Sequence, residues 1–135
     1  IAVSGFTDGS ASVEADGSVA EVADRLAAAA EGAGATVFAR IDHAAGAASV
    51  DMPIPDAELV VFGNPKLGTP AIAADPRAGL VLPLRVLVHE QEGQTVLTYE
   101  SVDSMFAGLD IPPDAGFRGA MAGALERLTQ AASAP

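Results

Sequence analysis

Leu80-Val-Leu-Pro-Leu-Arg-Val-Leu-Val-His-Glu-Gln-Glu-Gly-Gln-Thr-Val-Leu-Thr-Tyr-Glu-Ser101 decides the fold class. Two runs, Leu80–Glu90 and Gln94–Ser101, flank Glu92-Gly93 and read as an antiparallel hairpin. A turn centred there pairs His89 with Val96, Leu87 with Thr98 and Arg85 with Glu100. These six residues share one face, while Leu84, Val86, Val88, Leu97 and Tyr99 share the other. The second face is apolar throughout and belongs to the core. The first is semi-polar and carries a cross-strand ion pair between Arg85 and Glu100.

Outward on the amino-terminal side, Leu59–Phe62 is an uninterrupted apolar strand, the pattern of a central strand covered on both faces. Thr36–Asp42 is a second strand, with Phe38, Arg40 and Asp42 on one face and Val37, Ala39, Ile41 and His43 on the other. The Ala-rich spacer between them ends Met52-Pro-Ile-Pro-Asp56, giving a helical turn and then an extended arm. Further upstream, Ser10–Ala15 alternates polar and apolar residues as a half-buried strand does. Ser18 and Glu21 form a capping box for a helix over about 19–31, which ends at Gly32 and Gly34. Residues 1–9 read as a tail or short edge segment. Thr69-Pro70 reads as the start of a short helix that Asp75-Pro76 ends. After the hairpin, Pro112-Pro113 leads into a helix of about 114–131 with Phe117, Met121, Leu125 and Leu128 on one stripe.

The element order is therefore β-α-β-β-β-β-α. It defines an α+β fold, a mostly antiparallel sheet of four to five strands with two long helices packed on one face, in a single domain over 10–132. The other face, with Leu87, Val96 and His89, stays partly open, and a second copy of the chain, as a homodimer, is its expected cover.

Composition narrows the function. The chain has 135 residues, half of them apolar, enough for one real core. Seven basic against eighteen acidic residues give a net charge of −11, which opposes nucleic acid and anionic membrane surfaces as partners. With five Phe, one Tyr and no Trp there is no base-stacking platform and no interfacial aromatic belt. The absence of Cys removes disulfides, thiolate nucleophiles and Cys-ligated metals. No apolar run reaches the roughly 20 residues of a membrane span, so no membrane insertion is expected. The sequence opens at Ile1 rather than Met, as it would after removal of a signal peptide or at a trimmed boundary.

The most varied side chains fall between residues 35 and 70. Arg40, Asp42, His43, Asn64 and Lys66 are the candidate ligand-binding set, expected to converge where two strand ends meet and to hold a small, anionic molecule. Backbone N–H groups at the helix start after Thr69, with Lys66 adding charge, would receive the anion. Gly63–Gly68 has phosphate-loop glycine spacing but lacks the following Lys-Ser/Thr pair, which removes nucleotide hydrolysis. The alternative is haem or metal binding through His43 and His89, with Asp42 or Glu90 completing a set or Met105 contributing. No nucleophile elbow or paired carboxylates appear, so no catalytic constellation is identified and no cofactor is required.

Phe38-Ala-Arg-Ile-Asp-His43, Phe62-Gly-Asn-Pro-Lys66 and Gly79-Leu-Val-Leu-Pro83 with its following strand, in this order, resemble the domain of unknown function 302 family from about residue 9 to 131. The resemblance implies a TBP-like α+β fold, often dimeric, and relatives with this motif version that look exported to the periplasm. It implies no established reaction. Relatives often carry polar, His-containing sequence after the second hairpin strand, where this chain has the apolar Ser104-Met-Phe-Ala-Gly108.

Overall fold

The computed structural model describes Val3–Ser4 and residues 8–135. The strands are β1 (Val3–Ser4), β2 (Ser10–Ala15), β3 (Thr36–Asp42), β4 (Ala57–Gly63), β5 (Leu84–Gln91) and β6 (Gln94–Glu100). The helices are α1 (Val19–Gly32), α2 (His43–Ser49), α3 (Pro65–Ala74), α4 (Ala78–Val81), α5 (Val102–Met105) and α6 (Gly116–Ala132). All strands pair antiparallel in the order β1-β2-β6-β5-β4-β3. β1 is two residues long, so β2 to β6 form the body of the sheet.

The hairpin register is the expected one. His89 lies opposite Val96 and Leu87 opposite Thr98, and Arg85 Nη2 stands 3.5 Å from Glu100 Oε1. Glu92 and Gly93 both have positive φ, 53° and 79°, as a tight two-residue turn requires. Leu84, Val86, Val88, Leu97 and Tyr99 are buried together with Ala11, Val13, Val60 and Phe62. The two long helices lie over this face through Val22, Leu26, Met121 and Leu125. Each of these large side chains contributes about 1.5–3 kcal/mol by leaving water, so this face holds the fold together.

Local signals place the helices. Glu21 N–H donates to Ser18 Oγ at 3.1 Å, and Ser18 N–H donates to Glu21 Oε1 at 3.0 Å, closing the capping box of α1. The helix gives way to Gly34, whose φ of +88° favours glycine.

Four local expectations need correction. α3 begins a turn before Thr69: Asn64 is its N-cap, Pro65 its first residue, and Pro70 lies inside it. Asn64-Pro65 satisfies the same start rule as Thr69-Pro70, and the earlier pair prevails. β5 begins at Leu84 rather than Leu80, because residues 78–81 form α4 and Pro83, behind a cis peptide bond, has no N–H to give a ladder. β4 is not buried on both faces: Val60 and Phe62 are buried, while Leu59 and Val61 are only half-buried. β3 is an exposed edge strand with a bulge between Val37 and Ala39. That extra residue sets Val37, Arg40 and Asp42 opposite Phe62, Val60 and Glu58, on the helix-covered side. Phe38 is thereby released from the face it would share with Arg40.

Candidate functional site

β4 separates the five residues expected to form one polar pocket. Asp42 pairs with Glu58 at one end of β4, whereas Asn64 and Lys66 follow Gly63 at the other. At about 3.3 Å per residue, the ends lie roughly 17 Å apart. Arg40 is committed in between: its guanidinium binds Glu58 through Nε and Asp24 of α1 through Nη1 at 2.9 Å. Asp42 Oδ1 accepts the Ala45 N–H at 2.9 Å and caps α2. His43 is the exposed first residue of that helix. The charged set therefore fastens an edge strand to its neighbours and encloses no common space.

Helix-start amides offer no anion site either. Lys66 N–H donates to Asn64 Oδ1 at 3.0 Å, and Leu67 and Gly68 N–H donate to Asn64 O at 2.9 and 3.0 Å. Pro65 has no N–H to give. The turn consumes its own donors.

His89 sits on the open sheet face, where Nε2 and Thr98 Oγ1 are 2.8 Å apart and Thr98 Oγ1 is 2.9 Å from Ser12 Oγ. Partial burial pushes its pKa below the ordinary histidine value. Met105 is in the core at 6% exposure. Among the described residues no three His, Asp or Glu side chains are grouped as a metal ion would need.

A cavity of about 250 Å³ opens at the Asn64 end of β4. Its walls come from four places: Phe38 at the β3 bulge, Leu67 and Ile72 of α3, Leu82-Pro83 before β5, and Met121 of α6. Gly63 keeps it open, since a Cβ there would lie 3.3 Å from Pro83 Cβ and 3.5 Å from Phe38 Cε2. Asn64 and Thr69 supply its polar side chains, and among the described residues the lining holds no titratable side chain. Asn64 Oδ1 is taken by Lys66 N–H, which leaves the amide nitrogen without a partner among the described residues. A smaller cavity of about 180 Å³ adjoins it, sharing Gly63, Asn64, Leu67 and Leu84 and reaching Arg127 on α6.

Below the cavity the α3–α4 joint is pinned by a carboxylate that sequence reading passed over as a helix stop. Asp75, 5% exposed, accepts from Arg77 Nη2 and Asp110 N–H, each at 2.8 Å. Arg77 also donates to Gly108 O at 3.2 Å. These contacts hold the Asp75 carboxyl well below the usual carboxylate range, with Arg77 the larger cause. The cavity itself left a fainter trace in the chain: Gly63, Gly68 and Gly79 recur among bulky apolar residues, and each removes a side chain from the lining.

The antiparallel sheet with its two long helices and apolar end-cavity is a small α+β domain, and the comparisons give its family. Residues 11–134 match the domain of unknown function DUF302, and the chain belongs to that family. A crystal structure of an uncharacterized conserved DUF302 protein from Bacillus stearothermophilus has the same fold, with a TM-score of 0.85 and 12% identity, covering 93% of this chain and 99% of that one. The chain is also 43% identical over 91 residues to the fluoride-specific ion channel FluC 1 of Brucella suis, covering 67% of this chain and 36% of that protein. The fluoride-specific ion channel FluC 2 of Brucella melitensis matches at 43% identity, over 67% of this chain and 34% of that protein. The matched stretch is about a third of those relatives' length. No helix among the described residues is long and apolar enough to cross a membrane.

Proposed function

We propose that this domain is a non-catalytic binding module whose site is the cavity between Phe38, α3 and Leu82-Pro83. The observation that carries the reading is the cavity itself: about 250 Å³, nearly all apolar, with the Asn64 amide nitrogen and the Thr69 hydroxyl as its few polar points. At roughly 30 Å³ per water-sized volume it takes about eight non-hydrogen atoms, a small ligand by the standards of such sites. A lining without a titratable group supports binding rather than acid–base chemistry. The polar pocket expected from Arg40, Asp42, His43, Asn64 and Lys66 shrinks to one member, Asn64, and the ligand's body becomes apolar.

The test is a titration of methyl-labelled protein with octan-1-ol. Shifts concentrated on Ile72, Leu67 and Leu82 are expected, and Gly63→Ala should weaken them. A spectrum unchanged at millimolar probe, or shifts scattered over the open sheet face, would sink the reading.

The domain acts as a homodimer in this proposal, closed by two open sheet faces. Leu59, Val61 and Leu87 are half-buried and Ile41 is 43% exposed on the side opposite the two long helices. Sedimentation at micromolar concentration should give twice the chain mass, and Leu87→Glu, which removes no core side chain, should halve it. A wild-type chain that sediments as a monomer at 100 µM excludes the dimer (about −5.5 kcal/mol at that limit).

A further inference from the structure

We propose that the ligand is an amphipathic monocarboxylate, its acid group held by Arg127 and its apolar body passing Leu67 into the larger cavity. The inference rests on the cavity reading above and adds the ligand's charge. It starts from where the cations are spent. Of seven Lys and Arg, Arg40, Arg77, Arg85 and Arg118 have carboxylate partners, and Arg25 donates to the Ala132 and Asp16 carbonyls. Lys66 and Arg127 have no hydrogen-bond or ion-pair partner among the described residues. In a chain with eighteen acids, one of these two cations meets a cavity: Arg127 lines the smaller one, whereas Lys66 is an exposed residue of α3 outside both linings.

Arg127 is also seated. A Cβ on Gly123, one helical turn earlier, would fall 2.9 Å from Arg127 Nη1, so the guanidinium lies against a bare Cα. Ala120 and Ala124 keep the adjacent wall of α6 low. The result is a planar fork of donors at the mouth of an apolar space, the arrangement that receives a carboxylate edge-on. With a net charge of −11 the protein repels anions at long range, so anion selectivity must come from such a local cation. Helix-start amides cannot supply it, since Asn64 already occupies them.

Three eight-carbon probes test the assignment: octanoate, octan-1-ol and octylamine, titrated at pH 7 into the full chain, Arg127→Gln and Gly123→Ala. Octanoate should bind the wild type about tenfold more tightly than octan-1-ol, and octylamine should bind weakest. Arg127→Gln should erase the preference for octanoate over octan-1-ol. Gly123→Ala should lower octanoate affinity without lowering the melting temperature, because its methyl displaces only the flexible end of Arg127 while Ala favours the helix. Equal affinity for octanoate and octan-1-ol in the wild type, or a preference that survives Arg127→Gln, overturns the carboxylate and leaves the cavity reading intact. Binding of none of the three overturns both.

Discussion

The two ends of β4 make opposite use of their residues. At the Glu58 end, charged side chains close on one another: Arg40 holds Glu58 and Asp24, and Asp42 caps α2. At the Asn64 end, apolar side chains fail to close, and Phe38, Leu67, Ile72 and Leu82 stand around about 250 Å³ of space. Chemical variety in a sequence marks groups that need partners, and a compact fold tends to provide them. Open space is what remains where partners are missing, and at the Asn64 end the missing partners are carbon atoms.

The largest perturbation is to β4 itself. Phe62 is 1% exposed on the helix-covered face of β4, and Phe62→Ala should cost about 3–5 kcal/mol, read as an earlier urea midpoint. Both ends should then fail together, and a selective loss at one end would show that β4 does not couple them.

A second test sharpens the contrast by pH. Asp75 titrates below the ordinary carboxylate range in the folded state. Its contribution is therefore fully present above the unfolded value of about 3.9 and lost as pH falls through the folded one. Asp75→Asn should lower the melting temperature at pH 7 and flatten its decline between pH 4 and pH 2. An unchanged acid limb would remove the α3–α4 pin from the account of the cavity end.

Gly63→Ala should weaken octan-1-ol binding about tenfold while moving stability by no more than about 1 kcal/mol, since the new methyl intrudes on Pro83 and Phe38 rather than on the core. Arg40→Gln should cost about 0.5–1 kcal/mol, as expected of a partly exposed ion pair, and leave octan-1-ol affinity unchanged. If Arg40→Gln abolishes binding in a folded protein, the two ends of β4 act as one site. Smallest of all is His89. Burial lowers its folded pKa, so its contribution is present above about pH 6.5 and lost as pH falls through the folded value. His89→Gln should flatten that shallow slope, measured as melting temperature between pH 8 and pH 5.

The sequence by itself determined the antiparallel hairpin, its register and its apolar face, the capped first helix, the final amphipathic helix and the family. Each of these rests on period or on chemistry between near neighbours, such as His89 opposite Val96 or Ser18 with Glu21. Only the tertiary structure decided where the vacant space lies. One bulged residue in β3 turned Phe38 toward Gly63, and Asn64 rather than Thr69 capped α3, so Arg40 met Glu58 and Asp24 while the cavity formed at the opposite end. Period reads which residues seek burial. It cannot read an absence of atoms, because a void is the difference between volumes brought together from Phe38, Leu67, Leu82 and Met121, and no local pattern encodes that difference.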